Sequence, residues 1–171
     1  MSSEPRIREY HPELLSRRGE LIAWGSAALV AATWLYLLFR GQEVTLAVPI
    51  LMVFLFLAGT SISLGNWMDR RTVICINPNG IEFHNGVRNV QLTWSEVEEM
   101  RVLPTRWGKK VQVFGNRIFF EFRTLGEVKI GGDLKGRMGF EEGEEIMQEI
   151  IVNSDLQVIK ESGESYYYAR E

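Results

Sequence analysis

The chain has 171 residues, 24% of them charged, a formal net charge of −3, one cysteine and two histidines. A single cysteine excludes an intramolecular disulfide and a CxxC-type metal site, and so few soft or imidazole ligands argue against a structural zinc centre. The mean hydropathy, close to zero, averages two unlike regions and describes neither.

Residues 1–20, MSSEPRIREYHPELLSRRGE, are polar and read as a cytoplasmic N-terminal segment. The apolar run that follows is too long for the core of a cleavable signal peptide, and Ser2 stands where myristoylation needs glycine. Leu21–Phe39 and Leu46–Asn66 contain no charged residue, and only six residues, Arg40–Thr45, separate them. Each run approaches or reaches the roughly 20 residues needed to cross a hydrocarbon core. The short link predicts an antiparallel two-helix membrane hairpin over residues 21–67. Arg6, Arg8, Arg17 and Arg18 precede it, Arg70 and Arg71 follow it, and Arg40 alone lies in the link. That bias places both termini in the cytoplasm of an integral membrane protein. Ala23, Ala27 and Ala31 recur every four residues, as do Gly59 and Ser63, so these positions are predicted to pack the helices together. No ionisable residue lies within either run, which points to an anchor or docking element rather than a channel or pump.

From Arg71 the pattern changes to period two. Thr72–Ile76, Ile81–His84, Val87–Thr93, Met100–Leu103, Lys109–Phe114, Arg117–Arg123 and Glu127–Ile130 read as seven short strands. Turn signals separate them, including Asn77-Pro78-Asn79-Gly80 and Asn85-Gly86, the latter a two-residue hairpin signal. Ser95 with Glu98 is a candidate cap for one helical turn. The glycine-rich stretch Gly131–Gly139 reads as a connector. Phe140, Gly143, Ile146, Met147, Ile150 and Ile151 fall on one face of a helix whose first turns carry Glu141, Glu142, Glu144 and Glu145. Residues 155–171 form a tail, with Leu156–Ile159 a candidate extra strand and Tyr166–Tyr168 a loose end. The fold class is a membrane α-hairpin plus an α+β soluble domain.

The opening strand with NG-IEF, the segment VQLTWSEVEEMRV and the closing GFEEGEEIMQEII resemble the bacterial pleckstrin-homology-like domain over Thr72–Ser154. The resemblance implies a partly open seven-stranded β-barrel capped by one C-terminal helix, over residues 71–154, in a membrane-tethered module that supports protein–protein contact and assembly. Relatives that bind phosphoinositides use a basic loop between the first two strands. Here that loop is Asn77–Gly80 and holds no Lys or Arg.

Between Arg101 and Arg137 nine bases face three acids, a formal +6, whereas from Met138 to Glu171 two bases face nine acids, a formal −7. The loop Arg106-Trp107-Gly108-Lys109-Lys110 joins an interfacial aromatic to three cations and is the leading candidate for contact with lipid headgroups or a partner. Lys135 and Arg137 belong to the same candidate set. His84, Cys75 and the Glu96, Glu98, Glu99 group read as structural or solvated, with no nucleophile–base pair among them. The expectation is a non-catalytic module without cofactor or metal, in contact with membrane lipids and with a membrane protein partner or its own copies, and not with nucleic acid. The alternative is an anionic-lipid or ligand sensor that reads headgroups through the basic loop.

Overall fold

A computed structural model describes residues 7–14, 16–130 and 133–170, and the side chains of 128–130 and 133–135 fall outside the description. Two compact units result, one spanning Ser16–Trp67 and the other combining the N-terminal residues with the chain from Met68 onward.

The N-terminal segment, expected to stand apart, supplies strands β1 (Arg8–Tyr10) and β2 (Pro12–Glu13). Helices α1 (Arg18–Phe39) and α2 (Ala47–Arg71) follow, both long and apolar enough to cross a membrane. They overrun the apolar runs at their polar ends, because helical hydrogen bonding continues where hydropathy stops. At about 1.5 Å per residue they extend about 33 and 37 Å. Gly41, at φ +68°, closes α1 with a backbone bond to Leu38, and Pro49 sits in the first turn of α2 where its missing N–H is harmless.

The seven runs read as strands are β3 (Val73–Asn77), β4 (Gly80–His84), β5 (Asn89–Thr93), β6 (Val97–Thr105), β7 (Gly108–Gly115), β8 (Phe119–Arg123) and β9 (Gly126–Ile130). The expected count of seven is too low. The glycine-rich stretch is strand β10 (Asp133–Phe140) and not a connector, because it pairs antiparallel with β9. Helix α3 (Gly143–Asn153) comes next, then β11 (Gln157–Ser162) and β12 (Ser165–Ala169). The tyrosine run is therefore no loose end. Tyr166 pairs with Val102 and Tyr168 with Met100, and both rings pack against the core. Three open sheets run β1-β3-β4-β5, β2-β10-β9 and β11-β12-β6-β7-β8.

Two local expectations shift. The β4–β5 connection is a four-residue turn, Asn85–Arg88, in which the Asn85 side chain accepts the Arg88 N–H at 2.8 Å and Gly86 takes φ +80°. The capping pair is Thr93 with Glu96 rather than Ser95 with Glu98. The Glu96 carboxylate accepts both the Thr93 N–H and its hydroxyl at 2.8 Å, at the start of a single 3-10 turn over Trp94–Glu96. These bonds hold the Glu96 carboxyl below the usual range. Trp94 then donates its indole N–H to the Pro78 carbonyl at 3.1 Å, fastening this turn to the β3–β4 hairpin.

The core joins the inner faces of the sheets to α3. Ile74, Ile81, Met100, Phe120, Ile146 and Ile150 are fully buried in it, and Tyr10 of β1 belongs to it as well. A chain begun at Arg71 would therefore lack part of its own core. Arg170 locks the far end. Its guanidinium donates to the carbonyls of Trp94 (2.8 Å), Ser95 (2.9 Å) and Ser154 (2.9 Å).

Candidate ligand cleft and interaction surfaces

The small residues predicted to pack the helices differ in burial. Ala27 and Gly59 are buried and Ala23, Ala31 and Ser63 half-buried, whereas Ser61 and Gly65 lie exposed. A Cβ on Gly59 would come 3.3 Å from the Trp24 indole, so the ring would have to give by a few tenths of an ångström to admit one. A polar clamp not anticipated from sequence sits at one end of this unit. The Glu20 carboxylate accepts Ser63 Oγ at 2.8 Å and Asn66 Nδ2 at 2.9 Å, and Ser63 Oγ in turn accepts the Trp24 indole N–H at 2.9 Å. Glu20 lies one residue before the first apolar run, which is the signal that could have found it.

The basic loop is less basic in space than in sequence. Arg106 and Trp107 stay together at the exposed β6–β7 tip, with the guanidinium 6.0 Å from the ring. Lys109 and Lys110 alternate to opposite faces of β7. Lys109 binds Glu144 of α3 at 2.8 Å and Lys110 binds Glu121 of β8 at 2.7 Å. The Glu144 hydrogen bond holds Lys109 above its ordinary value. Burial pushes Glu121 up, but bonds from Lys110 and Gln112 outweigh it and leave the carboxyl low. Arg137 is exposed on β10, and the Lys135 side chain lies outside the described residues. Among the described residues, the structure thus brings Arg106 to Trp107 but does not gather Arg106, Trp107, Lys109, Lys110 and Arg137 into one patch. The opposed charge halves meet where Glu144 takes Lys109, while Glu145 and Glu149 both take Arg8, from outside the basic half.

A cleft of about 600 Å³ opens within the sheet unit. Phe83, Phe120, Phe122 and Phe140 back it as buried core residues in continuous ring contact, with centroids 5.2–6.4 Å apart, and Phe119 is its exposed ring. Its polar lining comes from five separate elements: Glu13 of β2, Asp69 of α2, Arg88 beside β5, Arg123 of β8, and the Lys110–Glu121 pair. Arg88 stacks over Phe119, 4.6 Å from the ring centroid. Among the described residues, the Arg88 and Arg123 guanidiniums have no hydrogen-bonded carboxylate, and the Glu13 and Asp69 carboxylates have no hydrogen-bonded cation. No short sequence motif reports this site, because no two of its four unpaired charges are close in the chain.

His84 is exposed at the end of β4. Cys75 lies in β3 opposite Glu82, and burial pushes its thiol up, away from the reactive thiolate. Among the described residues no three His, Cys, Asp or Glu side chains gather as metal ligands.

No family model, curated protein or solved structure matches the chain.

Proposed function

We propose that the chain is a non-catalytic membrane-tethered interaction module, a scaffold or assembly factor for a membrane protein complex. In this reading α1 and α2 cross a bacterial plasma or inner membrane, and the sheet unit is a pleckstrin-homology-like domain on the cytoplasmic side. The arginine bias around the hairpin supports that orientation. The succession of antiparallel strands followed by α3 supports the fold assignment. Only Thr72 separates α2 from β3, so the tether between them is short.

The observation that carries the interaction role is the outer edge of the five-stranded sheet. All six residues of β11 are exposed, Val158 and Ile159 at 54% and 61%, and among the described residues no strand pairs with its outer side. A free edge with apolar side chains is a template for strand addition by an extended partner segment. Lys160 and the bulge between Val158 and Lys160 keep such pairing from being indiscriminate. The occupant on this reading is a membrane protein with an extended cytoplasmic segment. The test places a photo-crosslinking residue at Val158 in the full-length chain, followed by mild-detergent purification and mass spectrometry. A stoichiometric membrane protein cross-linked at this position supports the proposal. Recovery of the chain alone as a clean monomer overturns it.

A further inference from the structure

We infer that β1 is an exchangeable arm, and that the groove between β3 and α3 which receives it takes the same arm from a second copy of this chain. This goes beyond the scaffold reading, uses a different sheet edge from β11, and stands or falls independently of it.

The chemistry of the groove follows from the segment it holds. β1 lies antiparallel along β3, with Arg8, Glu9 and Tyr10 opposite Ile76, Cys75 and Ile74. Strand alternation sends Arg8 and Tyr10 to one side, toward α3. The Tyr10 ring is 7% exposed and belongs to the core, while its hydroxyl donates to Glu145 at 3.4 Å. The Arg8 guanidinium reaches Glu145 at 2.9 Å and also Glu149, so two carboxylates one helical turn apart converge on one cation. The groove thus selects an extended segment carrying an arginine and, two residues on, an aromatic ring. Any second copy carries that segment.

What holds the arm does not bind it to its own copy. No hairpin turn joins β1 to β3, because the whole Ser16–Trp67 unit lies between them in the chain. Further along the arm, Pro12 and Glu13 pair with Phe140 and Gly139 of β10. These partners in β3, α3 and β10 offer the same contacts whichever copy supplies the arm. β1 is also the outer strand of its sheet, and Arg8 and Glu9 are exposed. Beyond Arg8 the groove stays open as a cleft of about 420 Å³ lined by Ile76, Pro78, Gln148 and Val152. A three-residue edge strand held by one buried ring and by exposed ion pairs, which add little, opens more readily than the core behind it. The β3 edge is then a template for an arriving strand. Reciprocal exchange fills both grooves of a closed two-fold dimer without loss of a contact.

The strand register supplies the experiment. Glu9 stands opposite Cys75, the one cysteine of the chain. Directly opposed residues of an antiparallel pair lie about 4.5–5.5 Å apart at Cα, inside the disulfide range. Full-length Glu9→Cys is purified in mild detergent, gently oxidised and run on a non-reducing gel, with the joined peptides identified by mass spectrometry. A covalent dimer linked through positions 9 and 75 is the expected result. Monomer alone, closed internally through the same two positions, overturns the inference. So does a dimer that persists when Cys75→Ser is added, since it joins arm to arm. A charge exchange needs no disulfide. Arg8→Glu in one tagged copy and Glu145→Arg/Glu149→Arg in another mismatch arm and groove within each copy and match them only between copies. Co-expressed, the two should co-purify about fivefold or more over either variant with itself, as expected for exposed ion pairs restored in both grooves. Equal recovery from matched and unmatched mixtures overturns the inference.

Discussion

The two units solve the same problem of holding elements together by opposite means. In the helical unit a single ring, Trp24, sits on the small Gly59, and the hydrogen bonds run through Glu20, Ser63, Asn66 and Trp24. In the sheet unit the seam is made of the largest side chains, with Phe83, Phe120, Phe122 and Phe140 stacked through the interior. Water rewards the burial of bulk, whereas a hydrocarbon surround gives no such reward and leaves close approach and polar bonds to do the work. On the membrane-tethered reading, each unit's composition follows from the solvent its outer face meets.

The largest expected break in this comparison is Phe120→Ala, which should cost about 3–5 kcal/mol. Hydrogen exchange on the full chain in detergent should show β4, β7 and β8 losing protection while residues 22–38 keep theirs. Simultaneous loss in both units would mean that they are not separate solutions. Arg170→Ala removes charged bonds to three carbonyls and should cost about 1.5–3 kcal/mol in thermal melts of the sheet unit. Gly59→Val thrusts a branched side chain at the Trp24 ring, with an expected cost of about 1–3 kcal/mol and a wider interhelical distance between spin labels. Trp24→Phe keeps the ring contact but deletes the bond to Ser63, and should cost about 0.6 kcal/mol by the same distance readout.

The smallest effect is electrostatic. Glu96 and Glu121 titrate below the ordinary carboxyl range in the folded chain. Their contribution is complete above that range and fades as pH falls through their lowered values. The acid limb of a melting profile of the sheet unit should flatten in Glu96→Gln. An unchanged limb would remove the Thr93–Glu96 bonds from the list of what steadies this turn.

Much of this organisation is legible in the sequence because it rests on periodicity. The uncharged runs mark the helices, alternation marks β3 to β9, and the Ile146, Met147, Ile150 spacing marks α3. What escapes is structure made by context. Strands β1 and β2 hold three and two residues, too few to display a period. Strand β10 hides behind its glycines, one of which, Gly139, takes φ +102° with Thr124 packed where a side chain would go. In Tyr166–Tyr168 identical residues conceal the alternation, for Tyr166 and Tyr168 pack on the core while Tyr167 pairs with Arg101. The cleft is least legible of all. Its charges come from β2, α2, the β4–β5 turn and β8, and only folding makes them neighbours. The basic loop errs in the other direction. Lys109 and Lys110 are adjacent in the chain, and strand geometry sends them to opposite faces.

Because β1 precedes α1 and α2 and its partner β3 follows them, the helical unit is spliced into the sheet unit's sequence rather than appended to it. During synthesis Arg8–Tyr10 is made first and must wait, unpaired, through both helices before Ile74–Ile76 exists to receive it. Both long apolar helices are thus complete ahead of the domain's own first pairing, and closure waits further for Arg170 at the other end.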